Sequence, residues 1–379
     1  MITLTKRTKK IYPQLDEFSH IRFAPDGDIA LVAPARAKKP TSLEGLCIFC
    51  PDTRINLAEP YPSVDLAEMD RRGLYMLQNA YPVTLSRESE LQIDKRFVAG
   101  FGGVFYNWDI AVGRHLVMIE TPNHELNPFS RSRETASYYK NLAWGYIQML
   151  KSLKSEGFRW GSVGKNRNGT DRHGKKLDAG ASQDHLHSQA LAANFNLMRL
   201  ENLVRFYDGF DYNLLEDSFG CKMMRGCGPC MEVRDNSSYN RSGRRLFKGD
   251  NSYISFVAPV PRGSNPYNFE VRIAPLGHQS HFEDMTPEQG DAFAEVLHKT
   301  MEMLGRRFPN MGFNYILWQG PWKADRYDIR TSHWEFSIYP SCSEEYEKHT
   351  GFIPHLLGAP VLKSTPEQLA REIIRYRRK

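Results

Sequence analysis

One arrangement of residues is written twice along this chain of 379 residues, which constrains it to fold as two domains or as one domain built twice. The first copy runs Cys47-Ile48-Phe49-Cys50, an apolar strand over Leu116 to Glu120, a loop with His124, a helix from Arg131 to Leu153, and a strand carrying His185. The second runs Cys227-Gly228-Pro229-Cys230, strands at Tyr253 to Ala258 and Phe269 to Ile273, a loop with His278, a helix, and strands at Phe313 to Trp318 and His333 to Tyr339. The interval between the two histidines is 61 residues in one copy (124 to 185) and 55 in the other (278 to 333). Matching order and spacing divide the chain into 1–215 and 216–379.

The helices follow from periodicity. Tyr139, Leu142, Tyr146, Met149, Leu150 and Leu153 recur at three and four residues, as do Phe293, Leu297, Met301 and Leu304. Thr286-Pro287-Glu288-Gln289 supplies a capping box with proline at the first helical position, and Gly305 reads as the stop. A second capping box, Thr365-Pro366-Glu367-Gln368, opens a terminal helix with Leu369, Ile373 and Tyr376 as its buried stripe. The basic, glycine-rich segment 164–178, GKNRNGTDRHGKKLD, reads as a mobile loop ahead of the His185 strand.

Chemistry concentrates in His185-Leu186-His187-Ser188-Gln189. On an extended strand alternate side chains share a face, so His185, His187 and Gln189 project together. Zinc takes four tetrahedral sulfur or nitrogen ligands. Cys47 and Cys50 with His124 and His185 make one Cys2His2 set, and Cys227 and Cys230 with His278 and His333 make another. Filled by protein on all four corners, both ions are structural. His115 and His281 are weaker alternates for these ligands. That leaves His187 as a nucleophile, whose attack on phosphorus forms a phosphoramidate and splits one hard displacement into two easier ones. Gln189 then donates to the phosphate oxygen as charge shifts. In the second copy Glu335 stands where His187 stands in the first, so one half is catalytic and the other mainly architectural.

Composition removes several classes. With 41% apolar and 25% charged residues the chain is ordinary globular material, and it has no run of 18 apolar residues, so no membrane span is expected. The N-terminus, MITLTKRTKK, lacks an apolar secretory segment, which makes cytoplasmic the default location and reduced cysteines the expectation. The net charge of +6 gathers partly at the two ends without interleaved aromatics. It therefore fits solvated termini and phosphorylated small substrates, not nucleic acid.

Taken in order, several motifs resemble the galactose-1-phosphate uridylyltransferase family of the histidine-triad superfamily. They are Val32-Ala33-Pro34-Ala35-Arg36-Ala37-Lys38-Lys39-Pro40, Cys47-Ile48-Phe49-Cys50-Pro51, Asn79-Ala80-Tyr81-Pro82, Glu120-Thr121-Pro122-Asn123-His124, and Ala179-Gly180-Ala181-Ser182 before the His185 run. Later come Cys227-x-x-Cys230, His278, Thr331-Ser332-His333-Trp334 and Tyr346-Glu347-x-x-Thr350-Gly351. The two knuckles resemble the two-zinc branch, which includes ADP-glucose phosphorylase-like proteins. The resemblance implies an α+β fold: a duplicated histidine-triad-like unit of antiparallel sheets with helices packed on their faces. It implies transfer of a nucleoside monophosphate from a nucleotide sugar to His187 and on to a second phosphate, in galactose metabolism, by a protein expected as a homodimer. It further implies that Asn79 contacts the base or ribose, that Arg36, Lys39, Asn166, Ser182 and Gln189 surround the phosphates, and that Glu347 accepts from sugar hydroxyls. Hexose-1-phosphate uridylyltransferase is the leading expectation and sugar 1-phosphate its acceptor. The alternatives are a nucleotide-sugar phosphorylase that uses inorganic phosphate, a hydrolase, and an inactive zinc-stapled binding protein. The hydrolase is disfavoured because Gln189 stands where such enzymes tend to carry a third histidine.

Overall fold

The computed structural model describes residues 20–23, 29–33, 47–53, 61, 65–86, 107–170, 173–195, 213–216, 222–225, 228–237, 242–250, 252–261, 269–323, 333–341 and 364–377. In chain order its elements are β1 (His20–Phe23), β2 (Ile29–Val32), α1 (Leu66–Arg71), β3 (Tyr75–Gln78), β4 (Asn107–Ile110), β5 (Gly113–Ile119), α2 (Arg133–Ser155), β6 (Trp160–Arg167), β7 (Gly169–Thr170), β8 (Lys176–Leu177) and β9 (His187–Ala193). They continue with β10 (Asn213–Glu216), β11 (Lys222–Arg225), α3 (Gly228–Ser237), β12 (Arg245–Lys248), β13 (Tyr253–Val257), β14 (Val271–Pro275), α4 (Pro287–Arg307), β15 (Gly312–Trp318), β16 (Glu335–Ser341) and α5 (Pro366–Arg377). None of the described helices is long and apolar enough to cross a membrane.

Nine strands form one sheet in the order β12-β13-β14-β16-β15-β6-β9-β5-β3, and each neighbouring pair is antiparallel. Outward from the β6–β15 seam, one side reads β6-β9-β5-β3 and the other β15-β16-β14-β13, with β12 added at the edge. In sequence terms each side is third, fourth, second, first. The order repeated along the chain is thus repeated about the seam.

Alternation sorts side chains between two faces. Met76, Leu116, Met118, Val163, Ala190 and Ala192 from one side, with Val271, Ile273, Tyr315, Phe336 and Ile338 from the other, join one core. The apolar stripes of α2 and α4 close it, pack on each other, and are buried at all ten positions expected from their periodicity. Each fully buried leucine there contributes about 1.5–3 kcal/mol of transfer free energy. The opposite face carries two smaller clusters. Phe49 of the first knuckle covers Leu77, Val117 and Ile119, and Val233 of α3 covers Ile254, Phe256 and Ala274. Each half is therefore capped by the segment bearing its C-x-x-C cysteines.

Local signals mostly hold, with instructive differences. Ser132 caps α2 by accepting from Thr135 N–H, and the capping boxes at Thr286 and Thr365 both form. Gly305 is not the stop of α4, which runs on to Arg307. A Cβ at Gly305 would lie 2.5 Å from Phe129 Cβ, so the glycine serves close approach of that ring. Tyr376 is exposed on α5, where Arg307 lies over its ring, while Leu369, Ala370 and Ile373 take the buried stripe. The strand expected from Phe269 begins at Val271. Segment 164–178 is not a loop throughout: β6 extends through Arg167, and β7 pairs with β8 in a small hairpin. Its pattern misleads because glycine and polar residues on a strand beside a cleft look like linker composition.

Between α2 and the sheet lies a polar cluster in otherwise apolar surroundings. Lys165 and Glu120, 2% and 1% exposed, form an ion pair. Tyr138 donates to Glu120 Oε2 at 2.6 Å and accepts from Lys165 at 3.0 Å, while Ser188 donates to Glu120 Oε1 and meets the Tyr146 hydroxyl at 2.6 Å. Burial pushes the Lys165 ammonium down to about 8 although Glu120 opposes the shift. Removing one partner strands a buried charge. Lys165→Met is therefore expected to lose about 3–5 kcal/mol of unfolding free energy, with Glu120→Gln in the same chain restoring part of it. Denaturant midpoints of the three proteins check this.

Candidate active site

The loop after β5 and the bend before β9 bring four ligand atoms together. Cys47, Cys50, His124 and His185 each offer one, all within 4.8 Å of one another. The edges measure 3.6 Å for Cys47 Sγ to His185 Nδ1, 3.6 Å for Cys50 Sγ to His185 Nδ1, 3.4 Å for Cys50 Sγ to His124 Nδ1, and 3.2 Å between the two Nδ1 atoms. Tetrahedral zinc, with Zn–S about 2.3 Å and Zn–N about 2.0–2.1 Å, needs S···N edges of roughly 3.5–3.6 Å and N···N edges of roughly 3.3–3.4 Å. The set fits that ion. His185 also has the right tautomer, since its Nε2 lies 2.7 Å from the Thr121 carbonyl, which can only accept, leaving the Nδ1 lone pair turned toward the sulfurs. Burial lowers the His185 pKa and so favours this neutral form. His185 itself precedes β9 and does not lie within the strand.

In the second half Cys230, His278 and His333 converge in the same way, with Cys230 Sγ 3.5 Å from His278 Nδ1. His333 Nδ1 donates to the Trp334 carbonyl at 2.8 Å, so here the lone pair is on Nε2. Cys230 lies in α3, buried beneath the sheet face it caps. Cys227, Arg36, Lys39 and Glu347 lie outside the described residues. A third grouping, His281, Glu283 and Asp284, already has its cation: Lys154 Nζ donates to Glu283 at 2.9 Å and to Asp284 at 3.1 Å. His281, a weaker alternate for the second metal set, belongs to this grouping.

His187 opens β9, buried, with Nδ1 2.8 Å from the backbone carbonyl of His185. A carbonyl only accepts, so in neutral His187 the proton is on Nδ1 and the lone pair on Nε2. Phe49, held between the two knuckle cysteines, packs its ring 5.0 Å from the His187 ring. The first cysteine set thus steadies the histidine twice, through the His185 carbonyl and through Phe49. In the sequence Phe49 is marked only by its place inside the C-x-x-C, and the carbonyl bond carries no mark.

Farther along β9 a cleft of about 540 Å³ follows the seam between the halves, lined among others by His115, Ser162, Gly164, Asn166, Gln189 and Trp318. Gln189 and His187 share a strand face, as the alternation demands. Asn166 donates to the Gly180 carbonyl at 3.3 Å and accepts from Asn314, which fixes the strand next to the cleft. Ser182 lies half-buried in a bend of the segment leading to β9. Asn79 sits just after β3, its Oδ1 accepting from Tyr81 N–H at 2.8 Å and its Nδ2 beside His115. His115 joins neither cysteine set. It lies 2.8 Å from Gln189 Oε1, because β5 and β9 pair so that Leu191 opposes His115 and Gln189 stands diagonally across on the same face.

No protein-family model matches the chain. Its sequence is 22% identical to the ADP-glucose phosphorylase of Arabidopsis thaliana, over 83% of this chain and 81% of that protein. Among solved structures, a uridylyltransferase matches with a TM-score of 0.66 at 22% identity, covering 94% of this chain and 98% of the other. The Arabidopsis thaliana ADP-glucose phosphorylase structure with bound ADP-glucose matches with a TM-score of 0.60 at 20% identity, covering 92% and 95%. The chain has the fold of the uridylyltransferase and ADP-glucose phosphorylase structures, and its ordered motifs resemble the family to which that fold points.

Proposed function

We propose that the chain is a nucleotidyltransferase in which His187 carries the nucleoside monophosphate between two phosphate-bearing molecules. The observation that carries this reading is the 2.8 Å bond from His187 Nδ1 to the His185 carbonyl, which leaves the lone pair on Nε2, on the same strand face as Gln189, which lines the cleft. In the first step Nε2 attacks the nucleotide α-phosphorus of a nucleotide sugar. The N–P bond forms, the P–O bond to the sugar 1-phosphate breaks, and that group leaves as a phosphate needing no proton. Positive charge grows on the imidazole as the bond forms, and the His185 carbonyl stabilises it through Nδ1–H. Gln189 donates to the phosphoryl oxygen. An incoming phosphate oxygen then attacks the same phosphorus and the N–P bond breaks, returning neutral His187.

In this reading both metal sets hold zinc and act architecturally, with Cys227 completing the second. Residues 1–215 form the catalytic half and 216–379 its architectural partner. Asn79 at the base or ribose, and Arg36, Lys39, Asn166, Ser182 and Glu347 at phosphate and sugar, complete the assignment. For the acceptor, a hexose 1-phosphate is the first reading, as in a UDP-glucose-dependent uridylyltransferase. The curated sequence relative supports a second, inorganic phosphate in a nucleotide-sugar phosphorylase. Incubation with labelled UDP-glucose or ADP-glucose should leave an acid-labile, base-stable label on His187, and chase with phosphate or with hexose 1-phosphate then separates the acceptors. No label from any nucleotide sugar would overturn the proposal.

Where the first half has its nucleophile, the second has ions. Glu335 opens β16 as His187 opens β9, and it faces Arg272 at 3.9 Å, which also binds Glu270 at 2.7 Å and Glu232 at 3.2 Å. Restoring the histidine pattern by Glu335→His should therefore create no second reactive site, because Ser337 donates to Glu270 where Gln189 would be needed. Intact-mass analysis of the trapped intermediate is expected to give about one nucleotide per chain on His187. A labelled peptide containing residue 335 would refute the division of labour between the halves.

A further inference from the structure

We infer that His115 is a positioning residue that sets which end of the Gln189 amide faces the reacting phosphate, an inference that rests on the covalent role proposed for His187. Val83 N–H lies 3.2 Å from His115 Nδ1, and a backbone N–H can only donate, so Nδ1 of the neutral ring is the acceptor. The ring proton then belongs on Nε2, which lies 2.8 Å from Gln189 Oε1 and donates to it. With its oxygen committed to His115, Gln189 turns its NH2 the other way, and that is the end able to donate to a phosphoryl oxygen.

The opposite arrangement defeats itself. If the Gln189 amide were reversed, two donors would meet at Nε2 and a carbonyl oxygen would face the developing negative charge. Asn79 Nδ2 lies 3.1 Å from the same Nε2, but Asn79 Oδ1 already accepts from Tyr81 N–H at 2.8 Å. That approach is a contact of two donors and does not compete for the Nε2 proton. His115 is 5% exposed, so water does not readily replace it. An amide reversal exchanges a donor for an acceptor with almost no change of shape, so packing alone cannot choose between the two ends. A histidine of fixed tautomer can.

The test uses the full chain and begins with wild type, where label on His187 from a nucleotide sugar establishes the chemistry that the inference needs. Absence of label there would fail the functional proposal and not the role of His115. Single-turnover labelling of His115→Phe, which keeps an aromatic ring in the same space, is expected to slow by about tenfold to a hundredfold, as for groups that orient a functional side chain from behind. The nucleotide-sugar dissociation constant should stay within about twofold, because uniform binding is not what is lost. His115→Gln, which can place an N–H near the Nε2 position, should recover part of the rate. In the Gln189→Ala background, His115→Phe should cost nothing further, since the amide it orients is gone. Equal slowing in both backgrounds, or wild-type labelling by a folded His115→Phe protein, would overturn the inference. Should the Phe variant not fold, histidine 15N spectra of wild type decide the matter. The Nε2–H form of His115 supports the assignment and the Nδ1–H form refutes it.

Discussion

His187→Ala is expected to lose nucleotidyl transfer by a factor on the order of 10⁶, the scale on which an enzyme loses rate with its nucleophile. Fold and metal content should remain near wild type. His187 is not a member of either cysteine–histidine set, and its Nδ1 bonds the backbone carbonyl of His185. What disappears is the one lone pair that can form the N–P bond, so acid-labile label should vanish together with turnover. His187→Gly leaves a cavity between Phe49 and the strand, and added imidazole should recover part of the activity by entering it. Rescue would also separate loss of chemistry from loss of structure, since a diffusible ring cannot repair a misfolded site. Retained turnover in either variant without imidazole would end the covalent mechanism.

Much of this arrangement is legible in the sequence because it rests on short-range rules. Apolar spacing marks helices α2 and α4, a capping box also marks α4, and two residue types recurring at matched places mark the first cysteine set. What the chain does not display is strand register. His115 looks like a spare metal ligand when only its distance along the chain from His124 is considered. Once β5 pairs with β9, it faces Gln189 instead. The Glu120–Lys165 pair was hidden for the same reason, because two charged residues 45 positions apart carry no mark of meeting inside a core. Gly305 shows the converse error, where a local rule named a helix stop and a tertiary contact with Phe129 was the true cause.

Loss of one cysteine from each metal set should have unequal consequences, and the inequality follows from where the sets lie. Structural zinc contributes about 10–16 kcal/mol of binding free energy in small peptides, comparable with the whole net stability of a typical domain at about 5–15 kcal/mol. Wild-type protein should contain about two zinc ions per chain, and Cys50→Ser or Cys230→Ser about one. Both variants are expected to melt at least about 10 °C lower, the shift that a loss of several kcal/mol produces in a domain of 150–250 residues. Activity per folded molecule should separate them. Cys50 belongs to the set that orients His185, whose carbonyl holds His187, and to the knuckle that presents Phe49 to the same ring. Cys230 belongs to a set on the far side of the seam, over a face filled by Arg272 and its carboxylates. Cys50→Ser should thus slow labelling of His187 in the protein that remains folded, while Cys230→Ser should leave that rate within about threefold, as expected for a set on the other side of the seam. Metal analysis, thermal scans and single-turnover labelling on the same preparations decide it. A chain that keeps full stability and full rate with no bound metal would remove the case for zinc at either set.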